Sequence, residues 1–594
     1  MSQRMTRRQL MAGGARAAAA LGALKTLGAS PVRASESRAA RARAAAQTLT
    51  PSAVASERAA KFRAAFALLD EFIARHLGDV GAPGLTLAIA DREGLLRASV
   101  HGLADTKTKE RVRLDTLFQI GSISKSVVAL ALLQLRDEGK LDLHRPVSEY
   151  LPWLKVKSAH APFTTHHLLT HTAGLPGGIS FLVRAPNDEL WTAYAPGEHF
   201  VYSNPGYDIL GRLLETLDGR PFAVALRERV LRPLGMRVSE PIITHDVRTR
   251  MATGYAPLYD DRPFPRAGRL AEAPWVEMTN AAGSVASTPT DMAAYLSMIL
   301  SRGRTARGAR LVSEESFNLF VKPAVDAPFR GEPAGYAYGV WVSDKEGHTL
   351  VRHTGGMVAF SSAFYADLTD GLAAFASVNA NLAGYRPVAV TRYALDLLSA
   401  TLAAKELPAA PPSPPPADVV KNAAMYAGTF TSPTGKKLVL EASGERLSLV
   451  HAGERVVLQQ AGLDRFIVPH PDFALFALGF GREGERVVEA WHGADWYAGA
   501  GYTGAREFSH PKEWEGYAGH YRSESPWFGS ARIVLRKGKL WLGGEQALAP
   551  LGANVFRPAA ADWSPERITF EAPMGGRATR LNVSGNDFFR VPTP

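Results

Sequence analysis

A hydroxyl, an amine and a helix start lie within five residues at Gly121-Ser122-Ile123-Ser124-Lys125. The apolar run Ala129 to Leu135 that follows is too long for most strands, so the spacing predicts a helix ending at Gly139. Ser122 and Lys125 are three apart and share one face of its first turn. The positive end of the helix favours negative charge developing there, which fits a serine nucleophile with an amine as its base. Lysine must lose much of its ordinary basicity to work neutral near pH 7, or else hold a second base in place. Tyr202, in Tyr202-Ser203-Asn204, is the candidate second base, with its phenol pKa lowered by a neighbouring ammonium. Asn204 offers both a donor and an acceptor to fix the lysine and a substrate amide. His353-Thr354-Gly355-Gly356 supplies an imidazole that is partly charged near pH 7 and two residues without side chains, against which a substrate can lie.

Each motif is weak alone. A second Ser-x-x-Lys, Ser509 to Lys512, contains Pro511, and His451-Ala452-Gly453 imitates the histidine motif. No Gly-x-Ser-x-Gly elbow surrounds Ser122, which argues against an α/β-hydrolase triad.

The elements that must position these groups can be read in order. Residues 58–78 read as an amphipathic helix. Gly84 to Ala90 and Leu95 to Gly102 read as a strand pair, followed by the Ser122 helix. Leu168 to Pro176 closes a short helix at a Gly/Pro turn. Tyr202-Ser203-Asn204 opens a helix from Asp208 to Leu217, and Asn280 to Ser284 precedes a third. Strands are predicted at 336–342, 350–359, 364–368 and 373–378, and a last helix at 388–402. Leu407 to Pro416 is a proline-rich, semi-rigid linker. Beyond it lie short alternating strands with a loose internal repeat: Tyr426-Ala427-Gly428-Thr429-Phe430 is echoed by Tyr517-Ala518-Gly519-His520-Tyr521.

The sequence therefore divides into 1–34, a twin-arginine-type signal around Thr6-Arg7-Arg8-Gln9-Leu10-Met11; 35–57, an Ala/Arg-rich linker; 58–405, the domain with the candidate chemistry; 406–418, the proline-rich linker; and two β-barrels at 419–509 and 510–594. The signal implies a periplasmic or secreted protein. The net charge of +11 is concentrated at the start: the first 50 residues hold nine Lys/Arg against one acid, which leaves +3 for the rest. No nucleic-acid surface is expected from that balance. The chain has no cysteine, which excludes disulfides and thiolate chemistry, and no apolar run of membrane-spanning length.

In this order, Gly121-Ser122-x-x-Lys125, Tyr202-x-Asn204 and His353-Thr354-Gly355 resemble the three motifs of the penicillin-recognising serine hydrolases, which include class C β-lactamases, DD-carboxypeptidases and related esterases. Leu169 to Pro176 and Ala282 to Met292 resemble its connecting segments. The resemblance covers about residues 58–405. It implies an α+β, β-lactamase/transpeptidase-like domain with a five-stranded antiparallel sheet flanked by helices. In its mechanism Ser122 is acylated, Lys125 and Tyr202 share the proton transfers, and Asn204 positions the substrate. The oxyanion lies between the backbone N–H groups of Ser122 and Gly356, and Thr354, Gly355 and Gly356 form the substrate strand. No metal or organic cofactor is implied. Lysine stands where His353 does in class C β-lactamases; His-x-Gly there resembles some DD-peptidases and the D-stereospecific aminopeptidases, whose two trailing β-barrels (lipocalin-like) the tail also resembles. The expected activity is hydrolysis of D-amino-acid-containing peptides or peptidoglycan fragments, with a small-molecule or peptide as partner. The alternatives are a carboxylesterase, a weak β-lactamase, or a penicillin-binding sensor that never releases its acyl group. In the tail, Trp491, Trp496, Trp527 and Trp541 read as barrel packing, and Asp495 is a candidate carboxylate reaching the cleft to meet a substrate ammonium.

Overall fold

A computed structural model describes residues 52–178, 190–266, 268–382 and 384–593. The signal at 1–34 lies outside the described residues. Of the 35–57 linker, Ser52–Ala55 forms a strand rather than loose chain, because it pairs with the open edge of Gly94–Gly102.

The N-terminal half is built on one antiparallel sheet. Its long strands run in the order Gly94–Gly102, Gly84–Asp91, Leu372–Val378, Ser361–Asp367 and His348–Gly356. Trp341–Lys345 and short pieces at Gly335–Tyr336 and Val325–Asp326 extend the edge beyond His348–Gly356, and Ser52–Ala55 extends the other, giving nine strands where five were expected. The central strands Ser361–Asp367 and Leu372–Val378 are buried at every position, so each face must be covered, and they read as continuous apolar runs. The helices Arg63–Val80 and Val388–Leu402 share a hydrophobic cluster with one face. The helices Ser124–Asp137, Asn204–Asp218 and Pro289–Leu300 contribute to the cluster on the other. The helix Ser124–Asp137 is apolar nearly all round because it is the buried axis of this second layer: Val128 to Leu133 are entirely inaccessible.

The proline-rich segment is not a free spacer. Leu407 and Ala410 pack against the first helical cluster, the Tyr393 hydroxyl donates to the Pro408 carbonyl (3.1 Å), and Ser413 Oγ donates to Asp79 (2.6 Å). The tail then forms two all-β units. The first is a nine-stranded antiparallel sheet whose edge strands, Glu454–Val457 and Gln459–Gly462, are separated only by Leu458, so the sheet curls until its edges meet without hydrogen-bonding shut. The second, from Gly519–Arg522 to Asn586–Val591, is a closed eight-stranded barrel. The described residues form one compact body. Among the described residues no helix is long and apolar enough to cross a membrane.

Candidate active site

Ser122 lies in a single 3-10 turn, Gly121–Ile123, that feeds directly into the helix Ser124–Asp137. Three bonds hold the turn against its surroundings. The Ile120 N–H donates to Val285 O (3.0 Å), Ser124 Oγ accepts from the Val285 N–H (3.0 Å), and Ser362 Oγ donates to Ile120 O (2.7 Å). Gly121 adopts φ +55°, and a Cβ there would lie 2.9 Å from the Gly356 nitrogen. The serine turn and the end of the strand His348–Gly356 are therefore in backbone contact, which brings the first and third motifs together.

Lys125 is completely buried. Its Nζ lies 3.1 Å from Ser122 Oγ, 2.8 Å from Asn204 Oδ1 and 2.7 Å from Ala282 O, and sits 4.8 Å from the centre of the Tyr202 ring. Burial pulls its pKa down to about 7, while the buried Asp208, in the first turns of the helix Asn204–Asp218, supports the charged form. A neutral amine has two hydrogens for Asn204 and Ala282 and a lone pair left for the Ser122 hydroxyl.

Tyr202 differs from its expected state. Burial pushes its phenol upward, and the nearby Ser122 and Arg386 only oppose that shift. Its buried hydroxyl meets no well-aligned hydrogen-bond partner. The sequence reading had an ammonium lowering this phenol, but an amine held near neutrality exerts little such pull. Asn204 is fixed from both sides: Oδ1 accepts from Lys125, and Nδ2 donates to Gly177 O (3.4 Å).

His353 is corrected as well. It is buried, its Nδ1–H donates to Thr354 O (2.6 Å), and Nε2 faces the Tyr336 hydroxyl at 3.4 Å. Burial, aided by the positive field of Lys125, lowers its pKa to about 3, so it is neutral, and it packs at tilted and edge-on angles against Tyr202, Tyr336 and Trp341. It is not the partly charged group expected. Thr354 and Gly356 occupy the more open face of the strand, while Gly355 is buried. A Cβ on Gly355 would run into the Ile120 carbonyl and the Ser362 hydroxyl, and one on Gly356 into the Arg386 guanidinium.

Two residues absent from the sequence reading belong here. Arg386, half-buried, lies over Gly356 and donates to Tyr385 O (2.6 Å); no acidic side chain pairs with it among the described residues. Only its place just ahead of the last helix marks it in sequence. His171, in a left-handed conformation (φ +59°), accepts the Ser203 N–H at Nδ1 (3.0 Å) and lies against the Tyr202 ring, with centroids 4.2 Å apart. It sits inside the Leu169 to Pro176 segment, where a single histidine between threonines gives no signal of its own. Asp495 is placed elsewhere: its hairpin neighbours Lys436 (3.8 Å), and Gly493 O there accepts from Arg536 of the closed barrel. Among the described residues, two side-chain groups have metal-compatible spacing, His451/His470/Asp472 and His348/Asp367/Asp370, and neither includes a residue of this site.

A family model described as Beta-lactamase matches residues 69–398, more than half of the chain. Esterase EstB of Burkholderia gladioli is 34% identical over 224 residues, which are 32% of this chain and 54% of the esterase. The D-alanyl-D-alanine-carboxypeptidase/endopeptidase AmpH of Escherichia coli is 27% identical over 300 residues, 46% of this chain and 74% of the relative. An octameric penicillin-binding protein homologue from Pyrococcus abyssi matches with a TM-score of 0.52 at 22% identity, over 73% of this chain and 99% of that one, a likeness of fold.

Proposed function

Given that the chain belongs to the β-lactamase family of serine hydrolases, we propose that it cleaves an acyl bond in a D-amino-acid-containing peptide or peptidoglycan fragment through an acyl-enzyme on Ser122. The observation that carries this reading is the setting of Lys125: a buried amine with a pKa of about 7, 3.1 Å from Ser122 Oγ. So lowered, the amine is available as a free base against the nucleophile near neutral pH. Lys125 takes the hydroxyl proton as Ser122 Oγ attacks the substrate carbonyl. Tyr202, protonated at rest because burial raises its phenol, gives its proton to the leaving group and is reprotonated by the proton Lys125 took from Ser122, so both groups return to their starting states. Asn204 keeps the lysine in place. The backbone N–H groups of Ser122 and Gly356 receive the oxyanion. Water then frees the acyl group, with the same bases in reverse order.

His353, buried and neutral, supplies no charge to a substrate. Arg386, beside Gly356, is the fixed cation, and a substrate carboxylate lying along the strand edge meets its guanidinium. This favours a carboxylate-bearing peptide over the free-amine substrate of an aminopeptidase. Ester hydrolysis is the second reading. It is supported by the similarity to an esterase, 34% identical over 224 residues.

The test is intact-mass spectrometry after brief exposure to a fluorophosphonate and, separately, to a β-lactam, followed by turnover of D-Ala-D-Ala peptides, D-Ala-p-nitroanilide, p-nitrophenyl butyrate and nitrocefin. An adduct in wild type that is absent in Ser122→Ala, with amide turnover, is the expected outcome. Ester turnover without amide turnover selects the second reading. A β-lactam adduct that never decays, with no turnover of any substrate, returns the protein to the class of penicillin-binding sensors.

A further inference from the structure

The nine residues between the barrel strands Val555–Pro558 and Ile568–Met574 run Ala559-Ala560-Ala561-Asp562-Trp563-Ser564-Pro565-Glu566-Arg567. A connection this long between neighbouring strands exceeds what a hairpin needs. Its side chains reach the other half of the molecule. The Trp563 indole stacks on His199, with centroids 4.3 Å apart and an interplanar angle of 11°, and meets Tyr194 edge-on. The Pro565 carbonyl accepts the buried Trp191 Nε1–H at 2.8 Å, and the Arg567 guanidinium covers the Trp191 ring at 4.5 Å. Glu566 Oε1 accepts the Gly177 N–H at 2.6 Å, while its other oxygen accepts the Ser584 hydroxyl.

These contacts fall on Gly177 and on Trp191 to His199, close to the two motif groups in this stretch. Gly177 is the residue whose carbonyl receives both the backbone N–H (3.5 Å) and the side-chain Nδ2 (3.4 Å) of Asn204. A continuous path therefore runs from Glu566 through Gly177 and Asn204 Oδ1 to Lys125 Nζ, and from there to Ser122. A side chain at Gly177 would crowd this path, since a Cβ would lie 3.0 Å from Glu566 Oε1 and 3.2 Å from Tyr202 O. A barrel that served only as an attached module would need apolar contact area. This one commits a carboxylate to a single backbone N–H, a charge-assisted bond that fixes direction as well as distance.

We propose that the closed C-terminal barrel is part of the active-site scaffold, with Glu566 as a positioning residue that holds Gly177, and through it Asn204 and Lys125, in register with Ser122. The inference rests on the Ser122 acyl-enzyme reading for its kinetic consequence and on geometry alone for its structural one. Glu566 touches no reacting atom. It acts by fixing the acceptor of Asn204, and loss of that fixation acts on the chemical step rather than on the number of folded sites.

The experiment compares full-length wild type, Glu566→Ala and Glu566→Gln. Glutamine keeps an oxygen for the Gly177 N–H, whereas alanine removes it. Two readouts are taken: the limiting rate and the half-saturating concentration of fluorophosphonate labelling by intact mass, and hydrogen–deuterium exchange across residues 171–204. Glu566→Ala is expected to lower the limiting rate by about ten- to hundredfold, with the labelled fraction at completion unchanged, and to speed exchange in 171–204 while the barrel strands keep their protection. Glu566→Gln is expected to stay within about threefold of wild type on the same grounds. Unchanged exchange in 171–204 for Glu566→Ala overturns the proposal whether or not the protein is labelled. An unlabelled wild type overturns the Ser122 reading instead, and leaves the exchange result to decide whether Glu566 holds Gly177. A fall in labelled fraction at a constant rate, matched by Glu566→Gln, also overturns it, because that pattern is loss of folded protein.

Discussion

Lys125 sets the pH dependence of the site. Its amine must be neutral to accept the Ser122 proton, and burial brings its pKa to about 7. The sign is fixed: below that pH the lysine holds its proton and the base is lost, and above it the base is free. The ratio kcat/KM is expected to rise through an apparent pKa near 7 and then level off. His353, lowered to about 3, and His171, lowered well below its ordinary value, are both neutral throughout this range and add no second limb. A descending limb between pH 7 and 9 in the rate profile counts against Lys125 as the base. Lys125→Ala is expected to lower kcat/KM by about 10²- to 10⁴-fold, the range for a general base, with Ser122 still present. At this scale the sequence was informative. Ser122, Lys125, Tyr202 and Asn204 gather as their motifs imply, because each motif sits at the start of a helix or beside one and spacing alone sets its direction. What escaped was the protonation state. Whether Tyr202 is lowered by an ammonium or raised by burial, and whether His353 carries charge, depends on how much chain covers them, and the covering residues are distant in sequence.

The two glycines after Thr354 act at the scale of the strand. Gly355 faces inward, and a Cβ there would meet the Ile120 carbonyl, a backbone atom that cannot step aside without moving the Ser122 turn. Gly355→Ala is expected to cost about 1–3 kcal/mol of stability, as overpacking does, and to slow acylation of Ser122 strongly. Gly356→Ala meets the guanidinium end of the Arg386 side chain, which is flexible and can shift at the expense of its bond to Tyr385 O. Its stability is expected to stay close to wild type in thermal melts, while KM rises for carboxylate-bearing peptides and holds for neutral esters. Equal loss of stability in the two variants would contradict this division of roles. The strand itself was legible at 350–359, and the helix after Ser122 from its apolar run. The edge beyond it was legible only in part: the strand read at 336–342 breaks into Gly335–Tyr336 and Trp341–Lys345, and the two-residue pieces Gly335–Tyr336 and Val325–Asp326 exist only because a neighbour offers hydrogen bonds.

At the scale of the whole molecule, the tail was legible as two β units because the repeat of Tyr-Ala-Gly marks the start of each. Their attachment was not legible, since contacts between distant segments leave no periodicity. The joint is nonetheless specific. Arg532 of the closed barrel reaches Asp261, donating from Nη2 to its carboxylate (3.0 Å) and from Nε to its backbone carbonyl (3.1 Å), with both side chains almost fully covered. Nearby, Arg522 pairs with Asp260 in a more exposed contact (2.9 Å). Burial alone would raise the Asp261 carboxyl, but Arg262 and Arg532 together hold it below the usual range. A carboxyl lowered in the folded state contributes stability above its unfolded pKa, and that stability is lost as pH falls through the lower folded value. The joint is therefore intact at neutral pH and weakens in acid. Asp261→Ala leaves Arg532 buried without its partner, and removal of one member of such a pair costs about 3–5 kcal/mol. Asp260→Ala, at an exposed pair, costs about 0–1 kcal/mol. Chemical denaturation followed by tryptophan fluorescence at pH 7 is expected to show that ordering, with the gap between wild type and Asp261→Ala narrowing as the pH is taken below 4. A gap that is constant down to pH 2 would mean that the Asp261 charge does not hold the barrel to the site it helps to build.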